Sequence, residues 1–181
     1  MMNDIANELA KLQVLHGADF VKQLKTIVDY SGFNSVDGEK CIYAMGGESN
    51  EYFEFLLNAA RKAVSHGYKV YILPNPKGFR SADYIFVRKG TYKLYDLKTI
   101  IGKSSVGNRL DESIGQSNRI LLNVVSNYNP RLLALDIKRY FERNDNAIEV
   151  LIFRGGKTLS VIREDTEAYG FIRNFIMKCK I

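Results

Sequence analysis

The sequence predicts an α/β (α+β) fold: a mixed β-sheet flanked by helices, preceded by an N-terminal helical extension. Segments with helix-like apolar spacing alternate with runs rich in β-branched and aromatic residues. From residue 48 onward the order is helix, three strands, helices, two strands, helix, the pattern of a sheet with helices packed on it. The 181 residues, 46% hydrophobic and 25% charged, are enough for a soluble domain with a sizeable core.

Residues 3–28 (NDIANELAKLQVLHGADFVKQLKTIV) space their apolar side chains as helices do, and Gly17 divides them into two helices. YSGFNSVDGEK reads as a loop, and CIYAMGG as a short strand or an extended lead-in. ESNEYFEFLLNAARKAVSH is a helix, with Ser49 or Asn50 able to cap it, acids at its start, basic residues in its second half and Gly67 after its end. YKVYILPN is a strand closed by the proline-bearing loop PNPKGFRS. ADYIFV and YKLYDLKTI are two further strands joined by RKGT. After the loop GKSSVGN, a helix is expected through LDESIGQSNRILLNVVSN; Pro130 interrupts the pattern and RLLALDIKRYFERN resumes it. AIEVLIFR and KTLSVIRE form a hairpin around Gly155 and Gly156, and TEAYGFIRNFIMKCK is a closing helix. With no repeat, linker or low-complexity tract, the expected division is an extension over 1–45 and a main domain over 46–181.

Composition narrows the function. Cys41 and Cys179 make neither a disulfide framework nor a metal-ligand spacing, which fits a reducing, cytoplasmic compartment. His16 and His66 are isolated, which argues against a zinc–histidine site. No apolar run has bilayer length, and MMNDIANELAKL is too polar for a secretory signal. The formal net charge of +6 is compatible with a polyanionic partner such as nucleic acid.

The stretch SADYIFVRKGTYKLYDLKTI concentrates the chemistry. Strand side chains alternate faces, so Leu94, Asp96 and Lys98 share one face, and Tyr95, Leu97 and Thr99 the other. The short turn makes the two strands antiparallel neighbours, which brings Asp83 close to Asp96. Two clustered carboxylates repel unless a cation neutralises them. Mg²⁺ suits such oxygen donors and keeps several waters; it can polarise a phosphodiester oxygen and activate water for in-line attack. Lys98 can stabilise developing negative charge or orient the water. A D-x-K pair at a strand end also occurs as a solvated salt bridge. The order of elements around it favours the site.

That order resembles the PD-(D/E)XK nuclease superfamily, with its restriction-endonuclease-like fold. The resemblance covers residues 48 to about 163, with Asp83 in the place of the first acid, Asp96 of the second and Lys98 of the lysine. Ala82 replaces the proline that usually precedes the first acid. Members often add a glutamate from the first helix. Glu48, Glu51 and Glu54 are the candidates, Glu51 preferred and Glu54 in reserve, although acids at a helix start also complement the macrodipole. The resemblance thus implies a catalytic set of Asp83, Asp96, Lys98 and Glu51, with Glu51, Asp83 and Asp96 holding Mg²⁺ or Mn²⁺.

More narrowly, ADYIF, YDLKT, SSVGN, ESIGQSNRILLNV and AIEVLIFRGGK together are similar to the toxin domains of contact-dependent growth inhibition systems. Several of these are nucleases that cleave tRNA, and others cleave DNA. Gln116 matches a glutamine on the helix after their D/E-x-K strand. The resemblance implies a metal-dependent nuclease, either a tRNA-cleaving toxin-like RNase or a DNA endonuclease. It implies nucleic acid and an immunity or partner protein as partners, and delivery to a target-cell cytoplasm if the chain is a toxin. The opening MMND reads instead as a free-standing chain. A non-catalytic nucleic-acid-binding or protein-interaction domain on the same fold is the alternative.

Substrate contacts are expected from Gln116, Ser105 and Arg109, with Lys103, Ser104 and Asn108 beside them in the loop beyond the metal site. Arg154 and Lys157, flanking the late hairpin turn, would extend a basic groove. The alternating Tyr68, Tyr71, Tyr84, Tyr92 and Tyr95 are expected to pack within the sheet.

Overall fold

Helix-spaced and strand-spaced segments alternate along the computed structural model, which describes residues 18–30, 32–45, 51–74, 82–102, 105–114 and 117–180. The described elements are α1 (Ala18–Tyr30), β1 (Asn34–Ser35), β2 (Ile42–Ala44), α2 (Glu51–Ser65), β3 (Lys69–Ile72), β4 (Tyr84–Arg88), β5 (Thr91–Ile100), α3 (Val106–Glu112), β6 (Arg119–Val124), α4 (Pro130–Arg143), β7 (Glu149–Arg154), β8 (Lys157–Ile162), α5 (Arg163–Glu167) and α6 (Phe171–Cys179). They fall into two units, Met1–Asp96 with Gly115–Ser117, and Leu97–Ile114 with Asn118–Ile181.

In the first unit β1 runs antiparallel to β2, β2 parallel to β3, and β3, β4 and β5 form an antiparallel meander. The β4–β5 connection is the residue pair Lys89 and Gly90, both at positive φ (51° and 75°), the backbone that a tight two-residue hairpin needs. That turn fixes the register at Tyr84↔Tyr95 and Ile85↔Leu94. On one face α1 lays Leu24 and Ile27 against Leu73, Ala82, Ile85 and Leu94. The other face carries Tyr84, Phe86 and Tyr95, whose ring centroids lie 4.9–5.2 Å apart. Helix α2 meets β2 and β3 through a stripe in which Ala59, Ala60 and Ala63 are fully buried; small side chains allow that close approach. The Tyr84 hydroxyl donates to the Leu56 carbonyl at 2.8 Å, so the buried phenol keeps a partner. The first of the two expected N-terminal helices lies outside the described residues.

In the second unit the order is the end of β5, then β6, β7 and β8. Val125 N–H donates to the Ile100 carbonyl at 3.1 Å, β6 and β7 are parallel, and β7 and β8 form the expected hairpin with Arg154 opposite Lys157. Ile100, Val106, Leu110, Ile120, Leu122, Leu133, Ile137, Phe141 and Phe175 share one core with α3, α4 and α6. Parallel and antiparallel pairs thus mix in both units, with helices against the strands, as the α/β (α+β) class requires.

Four expectations need correction. The helix expected through residues 110–127 ends at Glu112, and RILLNV is strand β6. Ile120, Leu121 and Leu122 are all fully buried, so both faces of the strand are covered and the run shows no alternation. Pro130 opens α4 rather than interrupting a helix: the Asn129 side chain accepts from the N–H groups of Arg131 (2.9 Å) and Leu132 (3.1 Å), and proline fits the first helical position. Asn129→Ala is expected to cost about 0.5–2 kcal/mol, measurable by urea unfolding. The closing helix is two helices, α5 and α6, separated where Gly170 takes φ 78°. A two-residue strand, β1, also lies inside the expected loop over 30–40.

A buried ion pair sits among the strands of this second unit. Arg119 and Glu149 face each other in the parallel register and pair at 2.9 Å, while Ser160 donates to the other Glu149 oxygen at 2.6 Å. Both carboxylate oxygens are satisfied, which is what makes burial of Glu149 tolerable.

Candidate active site

Asp83 lies one residue before β4, in the gap between two strands. Its N–H donates to the Tyr95 carbonyl at 2.9 Å, and its own carbonyl accepts the Leu73 N–H at 2.9 Å. These bonds tie Asp83 to β5 and to the residue after β3, just beyond the Tyr84↔Tyr95 pair. The second aspartate, Asp96, lies on β5. Both residues are only 3% exposed. Lys98, on β5, is 9% exposed.

The sequence gives no sign of the group that meets Asp83. Tyr52, in the first turn of α2, donates its hydroxyl to Asp83 Oδ1 at 2.8 Å. Its ring is half exposed, so the polar tip reaches inward from a largely solvated residue. A tyrosine beside Glu51 at a helix start is the only trace that could have been followed. The Tyr84 phenol, one residue from Asp83, is pushed well above its usual pKa, first by burial and then by the nearby Asp83, Tyr52 and Asp96. Ser117, also buried, donates to the Leu94 carbonyl on β5 at 3.5 Å.

The other expected residues are less concentrated. Glu51 opens α2, and its side chain lies outside the described residues, as do Glu48, Lys103, Ser104 and Gln116. Glu54 is exposed on the same helix. The Ser105 hydroxyl accepts the Asn108 N–H at 3.3 Å and caps α3, and Arg109 pairs with Glu112 at 3.3 Å one turn on. Arg154 donates to the carbonyls of Cys179 (3.2 Å) and Tyr128 (3.3 Å), and Lys157 donates to those of Lys178 (3.0 Å) and Lys180. Both therefore hold the end of α6, an arrangement that suits the negative end of a helix. The β-sheet tyrosines pack as expected: Tyr84 and Tyr95 are fully buried, and Tyr71 stacks on Tyr43 at 4.9 Å.

Among the described residues no group of three or more His, Cys, Asp and Glu side chains is placed to hold a metal ion. The described pair, Asp83 and Asp96, offers hard oxygen donors only. Such a set fits a cation like Mg²⁺, which is held by one or two carboxylates and completes its shell with water.

No protein-family model matches the chain, and no curated protein matches it in sequence. Among solved structures, a chain of the CdiA-CT/CdiI toxin and immunity complex from Burkholderia pseudomallei is similar. That similarity has a TM-score of 0.44 and 18% identity, and it covers 65% of this chain and 92% of the other. Among the described residues no helix is long and apolar enough to cross a membrane.

Proposed function

We propose that this chain is a metal-dependent nuclease of the PD-(D/E)XK type, toxin-like and acting on tRNA. Asp83 and Asp96, with Glu51 as third ligand, hold the divalent ion, and Lys98 serves the reacting phosphate. The observation that supports this reading is the burial of Asp83, Asp96 and Lys98, three charged side chains of the paired β4–β5 segment. A merely solvated D-x-K salt bridge would lie open to water, and these side chains do not. Buried carboxylates are unfavourable without a cation or proton, and a hard divalent ion meets that requirement.

When bound, the ion supplies Lewis-acid polarisation of the phosphodiester and a more acidic water. The protein's own groups do the positioning. Tyr52 occupies Asp83 Oδ1 and fixes the rotamer of that carboxylate. The Lys98 ammonium stabilises the negative charge that builds on the phosphoryl oxygens. Hydrolysis forms one bond from the water oxygen to phosphorus and breaks one phosphorus–oxygen ester bond, with the leaving alkoxide taking a proton. The net charge of +6 favours approach to a polyanion. The reading places the reaction in a cytoplasm, the chain's own or a target cell's, with an immunity or other partner protein restraining it.

The test is incubation with tRNA, single-stranded RNA and duplex DNA in Mg²⁺, Mn²⁺ or EDTA. Metal-dependent cleavage of tRNA, stopped by EDTA, is expected. Cleavage of duplex DNA alone would keep the chemistry and change the substrate. Salt-sensitive binding with no metal-dependent product would instead make the chain a non-catalytic nucleic-acid-binding module.

The hydroxyl on Asp83 gives a separate prediction. Tyr52→Phe should weaken Mn²⁺ binding by about 10-fold, read by calorimetry, and raise the metal concentration needed for half-maximal cleavage to match. Because the ring is half exposed, melting of the metal-free protein should hardly change.

A further inference from the structure

The outer side of α6 carries more apolar surface than the core of its unit uses. Phe171, Phe175 and Cys179, at four-residue spacing, form the buried stripe. Ile172 and Ile176 form the next stripe and are only partly buried, and Met177, one step further round, is 61% exposed. A surface helix ordinarily turns polar at that point. Together with Arg131 from the first turn of α4, these side chains line a groove of about 660 Å³ whose remaining lining residues are Arg173 and Lys180.

The charges around that groove have one sign. Arg131, Arg173 and Lys180 are all exposed, no lining residue is acidic, and none of the ion pairs among the described residues involves them. Nor are they needed at the end of α6, because Arg154 and Lys157 already hold its last carbonyls. Three cations around an aliphatic and thioether floor describe a particular occupant. Nucleic-acid grooves combine cations with aromatic stacking platforms, and the lining holds no aromatic ring. Arg131 of α4 stands at the edge of the α6 floor, so the patch extends beyond a single amphipathic helix of the kind that lies in a lipid surface. Methionine suits a floor that must fit another protein's side chains.

We propose that this groove is a docking site for an acidic amphipathic segment of a partner protein, its apolar side chains seated on Ile172, Ile176 and Met177 and its carboxylates facing Arg131, Arg173 and Lys180. None of these residues belongs to the nuclease reading, so the two stand or fall separately.

The test uses the full chain and a labelled 18-residue helical peptide with leucines on one face and glutamates on the other, followed by fluorescence anisotropy. The expected result is binding about tenfold or more tighter than to a peptide of the same composition with the leucines scattered. Binding should also weaken as salt screens the charges. Arg173→Glu and Met177→Ser, both at exposed positions, should each reduce binding about tenfold and leave melting and nuclease activity unchanged. Equal binding of the two peptides, or unaltered binding in both variants, would overturn the proposal. So would loss, in the same variants, of binding to single-stranded RNA or to phosphatidylglycerol vesicles in place of the peptide.

Discussion

Asp96→Ala is expected to lower metal-dependent cleavage by at least about 100-fold without unfolding the protein. Asp96 and Asp83 are both almost fully buried. On the proposed reading, removing Asp96 takes away one of the ion's carboxylate ligands. The wild type should gain stability with Mg²⁺ or Mn²⁺, by about 2.7 kcal/mol at a hundred times Kd. For a chain of this length that is roughly 5–10 °C in melting temperature. The variant should show no such gain. Differential scanning fluorimetry over a metal titration compares the two proteins, and a variant that still gained the full shift would place the ion elsewhere.

Leu121→Ala and Leu122→Ala should each cost about 2–5 kcal/mol, seen as a lower urea midpoint. Both side chains are fully buried on β6 although they are adjacent in sequence and point to opposite faces. In an amphipathic helix one of two neighbours would commonly lie toward solvent, and its truncation would cost a few tenths of a kcal/mol at most. Equal and large losses at both positions are what a strand covered on both faces requires.

The same pair of leucines shows where sequence reading reached its limit. An apolar run without alternation has the same pattern in a covered strand and in a buried helix, so RILLNV merged with the short helix before it. Pro130 misled for a related reason: proline breaks a helix from within and begins one at its first position, and only the capping bonds of Asn129 tell the two apart. Where local rules act alone, the sequence was legible. The two-residue turn at Lys89–Gly90 was enough to predict that β4 and β5 are antiparallel neighbours. The helical spacing of ESNEYFEFLLNAARKAVSH located α2.

What remained hidden depended on contacts distant in sequence. Tyr52 reaches Asp83 across thirty-one positions, and nothing in the helix pattern marks its hydroxyl as polar and inward. Arg154 and Lys157 looked like free cations near a turn, but each finds backbone carbonyls at the end of α6, more than twenty positions away. Ser105, expected to meet substrate, caps α3 in the structure, a role that its position before VGNRLDE would equally have allowed.

The most direct measurement is cleavage of tRNA by the wild-type chain and by Lys98→Ala, each with and without Mg²⁺. Lys98 is nearly buried on β5 and is not among the proposed metal ligands. Its loss should spare metal binding and remove stabilisation of the charge that develops on phosphate. The account predicts Mg²⁺-dependent product from the wild type, at least about 100-fold less from Lys98→Ala, and the same metal-induced melting shift in both. Equal cleavage by the two proteins, or cleavage by the wild type that persists in EDTA, would contradict it.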